Sequence, residues 1–345
     1  MGISRYYRKF PKKPAKEMTR IGNLYDQICS IENLQLADEK ARKDKLCSHG
    51  VIKHDRNREQ NIIRLHEMLK KGTFKTSKYD IFFIYEPKER EIYRLPYFPD
   101  RIVHHAVMNV LEPIWVSIFT ADTYSCIKEK GIHAAAKKLK TVLRKNPHDT
   151  KYCLKLDIKK FYPSIDHDIL KQIIRRKLKD KRLLSLLDEV IDSADGVPIG
   201  NYLSQYFANL YLAYFDHWIK EVKGIKYYFR YADDIVILHS NKMYLHRLLK
   251  EMETYLADNL KLQIKNNWQV FPVASRGIDY VGYVFFHTHT RLRKTIKKRL
   301  CRRWAKINKR KVITEKEFKQ CISPWWGWAK YCDSRNLINK LFKRF

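Results

Sequence analysis

The chain has 345 residues, a formal net charge of +33 and a hydrophobic content of 45%. This content excludes global disorder, and the length allows a core that folds without disulfides or a structural metal. The basic excess indicates a polyanionic partner, because side chains that neutralise phosphates release bound counterions. Nucleic acid is the favoured class, although a ribosomal protein or a membrane-surface binder would also carry such a charge.

Cysteine usage and the start of the chain indicate the cytoplasm. The seven cysteines include no Cys-x-x-Cys pair, which argues against a disulfide framework or a zinc module. The opening segment MGISRYYRKF has no apolar signal region, and no apolar run is long enough to span a bilayer. We therefore expect a cytoplasmic protein with no membrane partner.

Periodicity predicts a mixture of helices and strands along the chain. The first elements are a basic arm over residues 1–20, helices over 21–72, two strands over 79–95 around a Glu86-Pro87-Lys88 turn, and a helix over 101–118. The later elements are a strand over 152–158, a helix over 168–192, a break at 196–200, a helix over 203–220, two strands over 226–238, a helix over 244–260 and a short strand over 278–286.

The last part of the chain is strongly basic. Twelve basic residues and no acidic residue lie between Arg291 and Lys311, which predicts a basic helix that lies on a nucleic-acid backbone. No internal repeat and no flexible linker is evident in the sequence. We therefore expect one multi-lobed unit.

Acidic residues at the ends of predicted strands are the feature of the sequence that is most informative about catalysis. The segment YYFRYADDIVIL places Asp233 and Asp234 between two apolar runs, which predicts a hairpin with both acids at its bend. An ordinary turn is the simplest alternative, but adjacent carboxylates beside apolar strands are costly to desolvate. Asp157 ends a second apolar strand in LKLDIKKFY. Three such carboxylates could hold two Mg²⁺ ions for nucleotidyl transfer, because Mg²⁺ prefers few carboxylates plus substrate phosphates.

These segments resemble a known family. FRYADDIVIL resembles the Y-x-D-D motif of reverse transcriptases, and LKLDIKKFYPSID resembles their partner aspartate motif, in the expected order. GVPIGNYLSQYFANLYL is similar to the segment that positions template and nucleotide, SRGIDYVGYVF to the primer-grip hairpin, and RLPYFPDRIVHHAVMNVLEPIW to the fingers. The resemblance covers roughly residues 80–335. It implies an α+β right-hand polymerase with an antiparallel palm sheet.

The resemblance also implies a division of the chain. Residues 1–50 would be a basic N-terminal extension, residues 51–285 the fingers and palm, and residues 286–345 a basic helical thumb. The expected partners are template RNA, the RNA–DNA duplex and deoxynucleotide triphosphates.

The third motif is similar to a narrower group, the reverse transcriptases of diversity-generating retroelements. Ile199-Gly200 and Ser204-Gln205 match the I-G-x-x-x-S-Q pattern of that group, where most reverse transcriptases have Gln-Gly and Ser-Pro. The resemblance implies error-prone copying of a template-repeat RNA, with misincorporation opposite adenine. It also implies a small basic accessory protein, pentameric in the family, and a bacterial or phage-encoded enzyme.

The resemblance assigns roles by position. Asp157, Asp233 and Asp234 are the expected catalytic acids and, with the Ile158 carbonyl, the ligands of two Mg²⁺ ions, for which Mn²⁺ could substitute in vitro. Lys265 is a candidate general acid that protonates pyrophosphate. The expected nucleotide-binding residues are Lys88, Arg90, Arg94, Ile158, Tyr162, Ile199, Gly200 and Gln205.

Some of these roles have a simpler alternative. Tyr162 is placed as the gate against a ribose 2′ hydroxyl, but it could be a core aromatic residue. Ile199 replaces an amide and so removes a hydrogen-bond check on the incoming nucleotide, although it could equally serve helix packing. Ile127 departs from the family, since relatives usually carry Arg there and the adjacent Lys128 is only a point charge.

Other functions remain open on the sequence. A defence-associated or abortive-infection reverse transcriptase would share the motifs and could be primed by the protein itself. A group II intron enzyme is less favoured, because only about sixty residues follow the primer-grip segment. A catalytically silent RNA-binding scaffold is opposed by the presence of all three acids.

Overall fold

The computed structural model of the protein describes residues 20–85, 89–309 and 314–342. Most of the predicted basic arm and the Glu86-Pro87-Lys88 turn lie outside these residues. Within them, no helix combines the length and apolar character needed to cross a membrane.

Helices make up most of the described chain. They are α1 (Tyr25–Cys29), α2 (Ile31–Arg42), α3 (His49–Asp55), α4 (Arg58–Lys71), α5 (Ile102–Val116), α6 (Ile132–Lys145), α7 (His167–Arg175), α8 (Lys181–Ile191), α9 (Tyr202–His217), α10 (Lys242–Leu260), α11 (Val273–Arg276), α12 (Lys294–Asn308), α13 (Glu315–Ala329) and α14 (Arg335–Phe342).

The strands of the described residues form three antiparallel sheets. They are β1 (Asp80–Ile84), β2 (Arg90–Arg94), β3 (Tyr152–Asp157), β4 (Tyr227–Tyr231), β5 (Asp234–His239), β6 (Gln269–Pro272), β7 (Ile278–Tyr280), β8 (Tyr283–Phe285) and β9 (Thr290–Leu292). The orders are β1-β2, β4-β5-β3-β6 and β7-β8-β9.

The chain divides into two compact units, and each unit is built from three separate segments of the sequence. The described parts of Met1–Thr120, Lys159–Lys223 and Tyr255–Gln263 form unit 1. In unit 1, α2 packs against α5, and α9 packs against both α5 and α7. The aromatic residues of α9 are anchored at their polar ends, because Tyr206 donates to Glu112 and Tyr211 donates to the Leu260 carbonyl, each at 2.7 Å. Unit 1 also carries the β1-β2 hairpin.

The helix predicted over 168–192 is interrupted in unit 1. Asp180 begins a new helix, α8, by accepting a hydrogen bond from the Leu183 amide at 3.2 Å. Its other carboxylate oxygen accepts from the amides of Leu24 and Tyr25. The break therefore depends on a contact with a segment more than 150 residues away in sequence, which local periodicity does not show.

Unit 2 comprises the described parts of Ala121–Ile158, Gly224–Thr254 and Ile264–Phe345. It contains the four-stranded sheet and the three-stranded sheet. One hydrophobic cluster joins Leu139 of α6, Val236 of β5 and Tyr283 of β8. The strand predicted over 278–286 is two short strands, β7 and β8, joined by a turn in which Val281 has a φ of 41°.

The basic helix predicted after Arg291 is present as α12. Trp304 and Ile307 of α12 pack with Ile322 of α13 in a small separate core. The basic side chains of α12 lie mostly on its exposed face, as an amphipathic pattern requires. The predicted combination of helices with an antiparallel sheet is confirmed.

Candidate active site

The acidic pair Asp233-Asp234 lies at the bend of a tight hairpin. Tyr231 of β4 pairs with Asp234 of β5, so Ala232 and Asp233 form a two-residue turn. Ala232 has a φ of 54°, the positive value that the first central residue of such a turn requires. This conformation is costly for an alanine. The hairpin predicted from the sequence is therefore confirmed, and its turn is held in a strained conformation.

A buried arginine supports this turn. The Arg230 side chain is fully buried, and its Nη1 donates to the Ala232 carbonyl at 3.2 Å. The Arg230 main chain is also tied to a neighbouring segment, because its carbonyl accepts from the Tyr124 amide at 3.1 Å. The Arg230 side chain thus holds the carbonyl of Ala232, the residue with the strained main-chain conformation.

Asp157 lies opposite the acidic pair. β3 pairs with β5 in a register that places Asp157 directly across from Asp234. The Ile158 amide lies 3.4 Å from the Asp233 carbonyl and donates to it. The sheet therefore brings all three predicted acids and Ile158 to one end of adjacent strands.

Burial makes Asp234 an unusual carboxylate. Desolvation by burial raises the pKa of Asp234 to about 7, and the negative charges of Asp157 and Asp233 act in the same direction. The Lys155 ammonium opposes this rise, with its Nζ 3.7 Å from Asp234 Oδ1. Asp234 Oδ1 is buried and has no hydrogen-bond partner among the described residues.

Lys265 lies beside the other carboxylate. Its Nζ is 3.4 Å from Asp157 Oδ2, and its amide donates to the Asp157 carbonyl at 2.9 Å. Ile264 forms a β-bridge with Ile158, which fixes the start of this segment against the end of β3. The structure thus brings Lys265 to the acids, as the sequence predicted.

These residues fit a divalent metal ion. Asp157 and Asp234 face each other, and Asp234 Oδ1 has no hydrogen-bond partner among the described residues and only the Lys155 ammonium at 3.7 Å, so a cation could take it as a ligand. No group of three His, Cys, Asp or Glu side chains in the described residues encloses an ion by itself. Mg²⁺ sites in nucleotidyl transfer do not require such a cage, because substrate phosphates complete the coordination.

Unit 1 carries most of the predicted nucleotide-binding residues. Tyr162 is half-buried on a short helical turn, and its carbonyl accepts from the Val197 amide at 2.9 Å. Gly196 packs so closely on this turn that a Cβ would lie 2.6 Å from the Tyr162 carbonyl oxygen. The segment around Gly196 is therefore built against Tyr162, which is not a member of the deep core.

The Ile199-Gly200 pair is tied to the β1-β2 hairpin. The Tyr93 amide of β2 donates to the Ile199 carbonyl at 2.8 Å. Gly200 has a φ of 125°, and a Cβ there would lie 2.7 Å from the Tyr93 carbonyl oxygen, so only glycine fits. The Ile199 side chain is half-buried. Arg94, on the same strand, is exposed, forms an ion pair with Asp80 and lies over the Phe82 ring.

Other predicted residues have less defined surroundings. Arg90 is exposed near the tip of β2, and Gln205 is exposed on α9. Lys88 lies outside the described residues. Ile127 is buried, with 7% of its surface exposed. At this position the chain therefore has a packing residue and not a template-binding or nucleotide-binding cation.

Two residues near the acids were not identified from the sequence, Lys155 and Arg230. Each is a single charge inside an otherwise apolar strand, in LKLD and in YYFRY. A charge at such a position is the signal that could have identified them, because an unpaired charge is rarely buried.

Comparison with known proteins identifies the family. The family described as reverse transcriptase (RNA-dependent DNA polymerase) matches residues 86–285. Protein YkfC of Escherichia coli (strain K12) is 24% identical over 255 residues, which covers 60% of this chain and 67% of YkfC. Group II intron-encoded protein LtrA of Lactococcus lactis subsp. cremoris is 26% identical over 178 residues, which covers 48% of this chain and 29% of LtrA.

Among solved structures, apo telomerase from Candida tropicalis aligns with a TM-score of 0.47 and 13% identity, covering 62% of this chain and 48% of the telomerase chain. The chain spans about two thirds of YkfC and less than a third of LtrA. Its α+β architecture, with carboxylates at the end of an antiparallel sheet, is that of a right-hand polymerase. Since the matched segment is more than half of the chain, this protein belongs to the reverse transcriptase family of RNA-dependent DNA polymerases.

Proposed function

We propose that the chain synthesises DNA from deoxynucleotide triphosphates on an RNA template, and that Asp157, Asp233 and Asp234 are its catalytic carboxylates. The observation that supports this most directly is the direct pairing of Asp157 with Asp234, whose buried Oδ1 has no hydrogen-bond partner. A carboxylate with these surroundings is unfavourable until a cation is bound. The strain at Ala232 is a second sign of a functional bend.

The residues at this sheet end would divide the chemistry among them. Asp157, Asp233, Asp234 and the Ile158 carbonyl would hold two Mg²⁺ ions. When bound, the ions would activate the primer 3′ hydroxyl and stabilise the charge of the leaving pyrophosphate. Lys265, already 3.4 Å from Asp157, would move its ammonium to the pyrophosphate and donate a proton there.

The residues of unit 1 would select the nucleotide. Arg90 and Arg94 on β2, together with Lys88, would bind the triphosphate through charge-assisted hydrogen bonds. Tyr162 would exclude a ribose 2′ hydroxyl through the bulk of its ring. Gly200 and Gln205 would contact the nucleotide beside Ile199. In this assignment residues 51–285 are the fingers and palm, residues 286–345 the thumb, and residues 1–50 an extension that binds RNA.

We further propose the diversity-generating subtype. In that case the template is a template-repeat RNA, errors concentrate opposite adenine, and a small basic accessory protein is a partner. The supporting feature is Ile199, an apolar side chain on a loop whose main chain is bonded to β2. A polar side chain at this position would disfavour a mispaired nucleotide, because the mispair would leave that side chain without a hydrogen-bond partner. An apolar side chain has no such partner to lose, so discrimination between nucleotides is weaker.

Sequencing of cDNA made by the purified chain on a defined RNA tests this subtype. The expected result is a substitution frequency at template adenines at least about tenfold above that at the other three bases. Errors spread evenly over the bases would contradict the subtype while leaving polymerase activity intact. Synthesis that starts on the protein itself, without a primer, would favour the defence-associated alternative.

A group II intron enzyme is the second alternative, because LtrA, a group II intron-encoded protein, is similar over 48% of this chain. Accurate cDNA with no excess of errors at adenine would favour it. Absence of any nucleotide incorporation, with RNA binding retained, would instead indicate a silent scaffold.

A further inference from the structure

A lysine lies among the carboxylates, and the chemistry proposed above gives it no role. Lys155 is on β3, two residues before Asp157, so both side chains project from the same face of the sheet. Its cross-strand partners on this face are Val236 of β5 and Gln269 of β6. The Lys155 ammonium is therefore held on the face that carries the expected metal ligands.

Two contacts fix this ammonium. Lys155 Nζ lies 3.7 Å from Asp234 Oδ1, and it donates a hydrogen bond to the carbonyl of Asp279. Asp279 belongs to β7, which lies in a different sheet from the catalytic hairpin β4-β5. One side chain thus joins the bend that carries the acids to the β7-β8 hairpin.

The β7-β8 hairpin is also tied to α12. Arg293, the residue before α12, donates from Nε to Asp279 Oδ1 at 2.6 Å and from its amide to the Gly282 carbonyl at 3.0 Å. The Asp279 carbonyl therefore accepts a hydrogen bond from Lys155, and the Asp279 carboxylate accepts one from Arg293. Through these contacts Asp234 is connected to the residue that precedes the basic helix α12.

A polar cavity of about 250 Å³ lies beside these contacts. Its lining includes Lys155, Asp157, Asn267, Gln269, Arg276 and Asp279. Next to this cavity, Ile278 and Tyr280 of β7 pack in the same hydrophobic cluster as Cys153 of β3 and Val236 of β5. At the polar edge of that packing, the Lys155 contact sets the distance between the Asp279 main chain and Asp234.

We propose that Lys155 is a positioning residue that sets the distance between the β7-β8 hairpin and the catalytic carboxylates, and that holds Asp234 until a metal ion displaces it. The proposal rests on the metal-ligand roles of Asp157 and Asp234 given above. When a cation reaches Asp234, the ammonium keeps its bond to the Asp279 carbonyl. It then repels the cation, because like charges a few ångströms apart disfavour each other. Lys155 thus improves alignment at the expense of metal affinity.

Two substitutions in the full-length protein separate the charge from the tether. Lys155→Met removes both, whereas Lys155→Gln removes the charge and keeps a donor for the Asp279 carbonyl. At pH 8.5, a Mn²⁺ titration followed by electron paramagnetic resonance, without nucleotide, should show about threefold to tenfold tighter binding for both variants. Amide hydrogen exchange over β7-β8 should accelerate about tenfold in Lys155→Met and stay near wild type in Lys155→Gln.

Steady-state kinetics adds a third measurement. Lys155→Met should lower kcat about 10–100-fold and leave the KM for deoxynucleotide within about threefold, because alignment and not nucleotide binding is lost. Lys155→Arg should recover most of kcat, since it keeps the charge and the donor. Lys151→Met, at an exposed lysine just before β3, is the matched control and should leave all three measurements unchanged.

The outcomes distinguish this proposal from the metal-site assignment. Unchanged Mn²⁺ affinity in both Lys155→Met and Lys155→Gln would overturn it, as would wild-type exchange over β7-β8 in Lys155→Met. If Lys155→Met does not fold, the Mn²⁺ titration of Lys155→Gln tests the proposal alone, and an affinity equal to that of the wild type would overturn it. An error in the metal-site assignment itself would appear separately, as Mn²⁺ affinity that does not fall in Asp234→Asn.

Discussion

Asp157 and Asp234 are direct partners across two antiparallel strands, so their carboxylates share one face and one end of a single sheet. Each has an ammonium close by, Lys265 at 3.4 Å from Asp157 and Lys155 at 3.7 Å from Asp234. In the metal-free protein the two lysines offset part of the negative charge. Removing single charges tests how much each of these groups contributes to the site.

Asp233→Ala should reduce DNA synthesis on a primed RNA template by at least about a thousandfold, because a carboxylate at the metal site is lost. RNA binding should stay within about twofold, since phosphate contacts come from the basic surface. Primer extension and a mobility-shift assay measure the two properties. Glu67→Gln, at an exposed acid on α4, is the charge-matched control. Near-normal synthesis by Asp233→Ala would refute the assignment of the acids.

Asp234→Asn should stabilise the metal-free protein at high pH. The pKa of Asp234 is raised by burial to about 7, so the folded state holds its proton while the unfolded state has released it. The relative stability is present below the unfolded pKa and is lost as pH rises through about 7. At pH 8 we expect the variant to be more stable by about 2 kcal/mol, less than the full shift implies, because 24% of the side chain is exposed.

Urea unfolding of both proteins at pH 4 and pH 8, with chelator present, measures this difference. At pH 4 the two proteins should agree within about 0.5 kcal/mol, because Asp234 is protonated in the folded state there. Saturating Mg²⁺ should reverse the order at pH 8, since only the wild type gains from binding. A difference that is constant across pH would exclude Asp234 as the titrating group.

Tyr162→Ala should increase ribonucleotide incorporation relative to deoxynucleotide incorporation by at least about tenfold, because the ring that meets a 2′ hydroxyl is removed. Tyr162→Phe keeps the ring and should retain the wild-type ratio. Single-nucleotide extension with each substrate measures kcat/KM for both. If Tyr162→Ala lowers the free energy of unfolding but the folded variant keeps the wild-type ratio, the ring is a packing residue.

Ile199→Gln should reduce misincorporation opposite adenine about threefold to tenfold, because an amide restores a polar group that a mispaired nucleotide leaves unpaired. Ile199→Leu preserves the apolar character and serves as the control. Deep sequencing of cDNA from one RNA template gives both error rates. An unchanged adenine error rate in Ile199→Gln would place the source of infidelity elsewhere.

Arg230→Met should lower the free energy of unfolding by about 1–3 kcal/mol, because the Ala232 carbonyl at the turn loses the donor that the buried arginine supplies. The kcat should fall as well, since the turn that holds Asp233 is no longer braced. Thermal unfolding and primer extension report the two effects. Arg247→Met, at an exposed arginine on α10, should change neither.

The sequence predicted the catalytic hairpin well, because two apolar strands around Ala232-Asp233 allow few other conformations. It also predicted β3, but the strand register that places Asp157 opposite Asp234 is seen only in the structure. The basic helix α12 follows from charge, whereas the antiparallel palm sheet was expected from the resemblance to reverse transcriptases. The hairpin, β3 and α12 are encoded by residues close together in sequence.

Features that depend on distant residues were not predicted. The break between α7 and α8 requires Asp180 to meet the amides of Leu24 and Tyr25. The contacts of Lys155 require a carbonyl more than 120 residues away, and the burial of Ile127 depends on packing around it. Local patterns carry no information about such partners, so the polar surroundings of the acids became visible only in three dimensions.

The hydrogen bond from the Tyr93 amide to the Ile199 carbonyl has a consequence for engineering. Main-chain atoms and the requirement for glycine at position 200 help to set the path of this loop, independently of which side chain stands at position 199. A graded series of residues there should leave the loop in place. We expect variants in such a series to retain polymerase activity, while the error rate changes stepwise with the residue at this single position.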